Sequence, residues 1–104
     1  MTGGGTGIGK VYSQRLAAGG AKVVLADIAN KEADEVAEGI CKAGGIALSV
    51  STDVSSEEAV QKMVKTSAEE FGGIDGLINN ASLMSVLPRG DWFDISAERW
   101  DSVM

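Results

Sequence analysis

The sequence predicts an α/β domain: a parallel sheet with helices on both faces, in three layers. Three observations predict it. Short β-branched or apolar runs alternate with segments of helical period along the whole chain. Glycine pairs punctuate the ends of the helical segments. The segments between strands are long enough for crossover helices, which imply right-handed βαβ units. Ligands of such sheets bind at the carboxyl ends of the strands, so those ends deserve the closest reading.

The elements follow in order. From Ile8, the apolar residues Ile8, Val11, Tyr12 and Leu16 keep helical spacing, and Gly19-Gly20 ends the pattern. Ile8 is expected to anchor this helix in the core. Lys22 to Asp27, KVVLAD, reads as a buried strand. Asn30 is the expected N-cap of a second helix, with Ala33, Val36, Ala37, Ile40 and Cys41 on its inner face and Gly44-Gly45 as its stop. Ile46 to Val50 is the second strand. Ser55 followed by Glu58 has the form of a capping box. The helix it opens carries Val60, Met63, Val64, Ala68 and Phe71 on one face and closes at Gly72-Gly73. Ile74 to Ile78 is a third strand candidate. A longer loop follows, with Leu83, Met84, Val86, Leu87, the only proline, Pro88, and Trp92. Its apolar residues either pack it onto the sheet or serve a function, as those of long ordered loops often do. Ser96 is the expected cap of a last helix, AERWDSVM.

Composition removes several function classes. The 104 residues suggest at most one domain, here a single unit over 1–104. Net charge is −6 with acids and bases interspersed, so no basic stripe faces a nucleic-acid backbone. No apolar run reaches the length of a membrane span, and no signal peptide is expected. One cysteine and no histidine exclude an internal disulfide, an imidazole-based zinc site and a Ser-His or Cys-His pair. No metal-binding residues are expected. Asp91, Asp94, Glu98 and Asp101 read as a solvated face.

The glycine loop, TGGGTGIGKV, carries the chemistry. Gly4, Gly9 and Lys10 fit a G-x-x-x-x-G-K phosphate loop up to Val11, where a magnesium-binding hydroxyl is required. Gly3, Gly7 and Gly9 instead have the spacing T-G-x-x-x-G-x-G. A dinucleotide loop needs residues without Cβ at a tight turn, and it needs a helix N-terminus aimed at the pyrophosphate. A plain glycine turn before a helix is the competing reading. Asp27 ends the first strand 18 residues after Gly9, close to the offset of about 20 for an acid that accepts ribose hydroxyls. Asp53 ends the second strand and either reaches an adenine amino group or caps the next helix. Asn79-Asn80 ends the third and either serves a ligand or forms an Asx-turn.

Together these residues resemble the classical short-chain dehydrogenase/reductase family. Thr2-Gly3-x-x-x-Gly7-Ile8-Gly9 is similar to its cofactor loop, Asp27 to its ribose-binding acid and Asp53-Val54 to its adenine-pocket pair. Asn79-Asn80-Ala81-Ser82 resembles its N-N-A-G motif, and Trp100-Asp101-x-Val103-Met104 the start of the helix bearing its catalytic asparagine. The resemblance implies a partial Rossmann-like, doubly wound sheet, with the first strand and the C-terminal half missing. It implies a cofactor site made of Gly3, Thr6, Gly7, Ile8, Gly9, Asp27, Ile28, Asp53, Val54, Asn80, Ala81 and Ser82, with Asn79 bracing the sheet. No catalytic residue is carried over, because that asparagine, a serine and a Tyr-x-x-x-Lys pair would lie beyond Met104.

Ser82 departs from the family's usual glycine, at a cost of ~1 kcal/mol if the position needs positive φ. NADP-preferring members tend to carry a basic residue where Thr6 or Ile28 stands here, so NAD(H) is expected over NADP(H). The parent is expected to be a cytoplasmic homo-oligomer that interconverts a secondary alcohol and a carbonyl compound. The 104-residue chain itself is expected to be marginally folded and inactive. Two other readings stand beside this one: a non-catalytic NAD-binding module and a P-loop phosphohydrolase.

Overall fold

The computed structural model describes residues 1–83 and 90–103 of the chain. Met84, Val86, Leu87, Pro88 and Met104 lie outside the described residues, as does the side chain of Trp92. Helix α1 (Gly7–Ala18) leads through Gly19 and Gly20 into strand β1 (Lys22–Asp27). Helix α2 (Asn30–Lys42), strand β2 (Ile46–Ser51) and helix α3 (Glu57–Phe71) follow. A 3-10 turn over Trp92–Asp94 precedes helix α4 (Ala97–Val103), whose Arg99 N–H donates to Ser96 Oγ at 3.2 Å.

β1 and β2 pair in parallel, from Lys22 opposite Ile46 to Asp27 opposite Ser51. Thr2, at the head of the glycine loop, makes a parallel bridge to Ala26. Its N–H donates to the Ile78 carbonyl on the other side at 3.0 Å. The spatial order is therefore β2, β1, Thr2, Ile78. This is the centre of a doubly wound sheet, with α1 and α2 on one face and α3 on the other.

Side-chain parity along β1 builds the two cores. Val23 and Leu25 point toward α1 and α2 and join Ala17, Ala33, Val36, Ala37 and Ile40. Val24 and Ala26 point the opposite way, toward Val50, Leu48, Val60 and Met63. Leu25 is fully buried, which contributes about 1.5–3 kcal/mol relative to exposure.

Several expected elements differ. In α1 the buried residues are Gly9, Ser13 and Ala17, while Ile8, Val11, Tyr12 and Leu16 face outward and Ile8 is 67% exposed. Helical period finds an apolar stripe but not the neighbour it meets. Here Gly9 and Ser13 sit against the loop backbone at Gly3 and Gly4, where only small residues fit. Cys41, expected on the inner face of α2, is exposed, with its thiol donating to the Ala47 carbonyl. Asn30 does not cap α2. It is the first helical residue, and its amide donates to Asp34 Oδ2.

The cap of α3 is Ser56 rather than Ser55, and its Oγ accepts the Ala59 N–H at 3.3 Å. On α3, Met63 and Ser67 are buried while Val64 and Ala68 are exposed. Ser67 tolerates burial because its hydroxyl donates to the Met63 carbonyl at 2.6 Å. Gly72 closes the helix with φ +83°. Ile74 to Ile78 does not form a strand. Only its last residue meets a partner, Thr2, and one bridge is too little for a ladder.

Candidate functional site: the glycine loop and three strand ends

The loop from Thr2 to Gly9 rests on contacts that exclude side chains. A Cβ on Gly9 would stand 1.9 Å from the Gly3 carbonyl oxygen and 2.7 Å from Asn80 Nδ2. A Cβ on Gly5 would stand 2.7 Å from the Ala33 nitrogen at the start of α2. Gly3 adopts φ +62°, and its Cβ would meet Ala81 Cα at 2.9 Å. Gly7 adopts φ +49° but faces open space within 4 Å. Gly9 and Gly5 are thus required for room, Gly7 for its backbone angle, and Gly3 for both.

Gly7 also opens α1. Thr6 is its N-cap residue but makes no side-chain cap bond, and the first turn holds no acid. The free N–H groups and the positive end of the helix dipole are therefore offered on the open side of Gly7. That combination suits an anionic group. Thr6, Ile8 and Lys10 stand around this end and are exposed.

The β1 end supplies Asp27, only 7% exposed. Its Oδ2 accepts the Gly5 N–H at 2.8 Å and its Oδ1 accepts the Ala29 N–H at 2.9 Å. The carboxylate thus ties the glycine loop to the β1–α2 turn. Each oxygen keeps capacity for a further donor. Ile28, beside it, is exposed. The β2 end is joined in turn, since the Thr52 N–H donates to the Asp27 carbonyl at 3.0 Å.

Asp53 stands apart from this cluster. It is exposed, and its Oδ1 accepts the Ser55 hydroxyl at 2.7 Å and the Ser55 N–H at 2.9 Å. The Ser55 hydroxyl first, and then its amide, hold the Asp53 carboxyl below its ordinary value. Asp53 thus makes an Asx-turn within its own loop, and Val54 beside it is exposed.

Past Ile78, the Asn80 and Ala81 N–H groups both donate to Thr2 Oγ1, at 3.0 and 3.1 Å. Asn80 Nδ2 donates to the Thr2 and Gly3 carbonyls, both at 3.1 Å. The bracing amide is therefore that of Asn80 and not of Asn79, which is exposed. Ser82 carries no strain, because no residue other than glycine has positive φ among the described residues.

The structure thus brings together Gly3, Gly9, Asp27, Asn80 and Ala81, and leaves Ile28, Asp53, Val54 and Ser82 exposed. Sequence reasoning placed Thr2 in the loop motif without a role of its own and missed Gly5. Thr2 supplies the shared acceptor, and its hydroxyl beside the glycine run was the available signal. Gly5 was passed over because it falls outside the T-G-x-x-x-G-x-G spacing. No group of three metal-ligating side chains converges among the described residues. No helix among them is long and apolar enough to cross a membrane.

Comparison with known proteins agrees with this fold. The family model described as short chain dehydrogenase matches residues 1–104. An uncharacterized oxidoreductase of Thermotoga maritima is 39% identical across the whole chain, which spans 40% of that protein. A short-chain dehydrogenase/reductase homolog of Bacillus subtilis, YusS, is 44% identical over 88% of this chain and 84% of its own length. A 3-ketoacyl-(acyl-carrier-protein) reductase of Brucella melitensis, solved with NADH, superposes with a TM-score of 0.86 at 35% identity. The match covers 98% of this chain and 40% of that one. Solved relatives carry NADH in that case and NADP in another, so the family's cofactor is NAD(P)(H). These matches set aside the P-loop reading. The chain belongs to the short-chain dehydrogenase family.

Proposed function

We propose that residues 1–104 form the cofactor-holding part of an NAD(H)-dependent oxidoreductase acting on a small secondary alcohol or carbonyl compound. The observation that carries this reading is the Asp27 carboxylate, fixed by the Gly5 and Ala29 amides beside the glycine loop. A carboxylate there accepts two ribose hydroxyls and repels a 2′-phosphate, which favours NAD(H) over NADP(H).

The residues present fit such a cofactor. The open side of Gly7 and the uncapped first turn of α1 suit a pyrophosphate, with Gly3, Thr6, Ile8 and Gly9 around it. Asp27 and Ile28 would flank the adenosine ribose, with Asp53 and Val54 toward the adenine. Asn80, Ala81 and Ser82 would border the nicotinamide half. When bound, the cofactor supplies hydride transfer. The chain's own residues bind and orient it. None is assigned to proton transfer: Tyr12 is exposed on α1 and has Leu16, not lysine, four residues on.

The test is cofactor selectivity, measured as the ratio of NAD to NADP affinity. Asp27→Ala would strand the Gly5 and Ala29 amides and disturb the loop as well. Asp27→Asn keeps an acceptor while removing the charge. The NAD preference should fall at least tenfold in Asp27→Asn. An unchanged ratio sinks the assignment. Dinucleotide binding with no turnover by the whole protein would favour the non-catalytic module.

A further inference from the structure

Ser13 of α1 is fully buried, so no ligand reaches its hydroxyl. A helical serine often turns that hydroxyl back to the carbonyl four residues earlier, as Ser67 does to Met63. Ser13 does not. Its Oγ donates out of the helix to the Gly4 carbonyl, at 3.5 Å. That is long for a hydroxyl bond. Yet Gly4 is buried, and its carbonyl has no other partner among the described residues.

The other end of the same peptide group is held as well. The Gly5 N–H donates to Asp27 Oδ2 at 2.8 Å. The Gly4–Gly5 peptide is therefore gripped twice, at its carbonyl by α1 and at its N–H by the end of β1. A peptide between two glycines turns over at little steric cost, because glycine accepts φ of either sign. Turned over, this one would point its carbonyl at Asp27 Oδ2, oxygen against oxygen, and push the carboxylate out of place. The Ser13 bond opposes that turn. It also makes the Gly5 N–H a stronger donor, as hydrogen bonds in series polarise one another. The loop has little room to settle elsewhere, since a Cβ on Gly4 would stand 3.1 Å from Leu25 Cβ and 3.2 Å from Ser13 Oγ.

We propose that Ser13 is a positioning residue for dinucleotide selection. It acts through the Gly4–Gly5 peptide on the Asp27 carboxylate and touches no ligand itself. The proposal rests on the reading of Asp27 as the acid that accepts the ribose hydroxyls. Gly5 fixes one carboxylate oxygen and Ala29 the other. A carboxylate already held in one orientation meets two ribose hydroxyls without the ligand having to order it. Loss of the Ser13 hydroxyl loosens the Gly5 side of that hold, and the weakened contact is the one that prefers NAD(H).

The experiment uses the whole protein with isotope-labelled glycine, and NAD and NADP as ligands. Ser13→Ala removes the hydroxyl and leaves a residue that the buried site accommodates. The Gly5 amide proton, followed by NMR before ligand is added, should move upfield as its bond to Asp27 weakens. NAD affinity should fall about threefold, the scale of one modest hydrogen bond, and NADP affinity should fall less. Ser13→Cys keeps a weak donor and should lie between. In the Asp27→Asn background, Ser13→Ala should leave the ratio of NAD to NADP affinity where Asp27→Asn put it. An unmoved Gly5 proton overturns the proposal, and so does a moved proton with an unchanged ratio. A further change of ratio in the double variant also overturns it, because Ser13 would then act by a route that bypasses Asp27. Failure of the Asp27 reading shows in Asp27→Asn alone, and failure of the Ser13 proposal in Ser13→Ala alone.

Discussion

Thr2 Oγ1 accepts the backbone N–H groups of both Asn80 and Ala81, at 3.0 and 3.1 Å, from positions 78 and 79 residues along the chain. One hydroxyl therefore satisfies two donors at the point where the glycine loop meets the chain after Ile78. Removing it strands both. Thr2→Val keeps the shape and loses the acceptor, so it should cost about 1–3 kcal/mol per stranded group that water does not reach. Thr2→Ser should restore most of the loss. Urea unfolding, with amide exchange at residues 80 and 81, checks this. Equal stability of the valine and serine variants would contradict it.

Gly9 and Gly7 make opposite demands. Gly9→Ala drives a methyl against the Gly3 carbonyl, backbone against backbone, with no flexible atom to give way. Its cost should exceed the usual 1–3 kcal/mol of overpacking. Gly7→Ala meets open space and is limited to the backbone strain of φ +49°, about 1–2 kcal/mol. Thermal unfolding of the two variants should rank them in that order. The reverse order would mean that the loop is not as closely set on Asn80 as described.

Leu25→Ala should destabilise the chain by about 2–5 kcal/mol, because Leu25 is fully buried between the α1 and α2 faces. Val64→Ala, at a position 44% exposed on α3, should cost clearly less. Chemical denaturation of the pair tests whether the α1–α2 side carries more of the stability than the α3 side. Similar losses would refute that division.

The Asp53 turn predicts a pH dependence of definite sign. Hydrogen bonds from Ser55 depress the Asp53 carboxyl in the folded chain. Its contribution is therefore present above the ordinary carboxylate value of 3.8 and is lost as pH falls through the lower folded value. Ser55→Ala removes the larger cause, the hydroxyl, so the Asp53 titration should move up toward the ordinary value. Carboxyl chemical shifts followed against pH report this directly. No movement would place the cause elsewhere.

Much of this was legible in the residues. β1 and β2 were readable because β-branched and apolar runs bounded by glycine leave few alternatives. Asp27 was readable because its offset from Gly9 matches a physical distance across one βαβ turn. What misled was facing. Ile8, Val11, Tyr12 and Leu16 have a proper helical period, yet the helix turns its glycine, serine and alanine stripe to the sheet. Period measures an angle around an axis and says nothing about clearance. Cys41 failed for the same reason, one step around α2 from Ile40. The bracing contact fell to Asn80 rather than Asn79 because adjacent residues past a strand differ only in the direction of a single turn, which tertiary contact sets. Ile74 to Ile78 had strand composition, but a strand also needs a neighbour along its length.

The hydrogen bonds between Thr2 and residues 78 to 81 also order events in time. Thr2 and Gly3 are synthesised before their partners Ile78, Asn80 and Ala81, which follow only after α1, β1, α2, β2 and α3 have been made. The loop can therefore lean on β1 early, through Ala26, but acquires its second wall late. Its beginning waits, unfinished, for a residue synthesised most of a chain later.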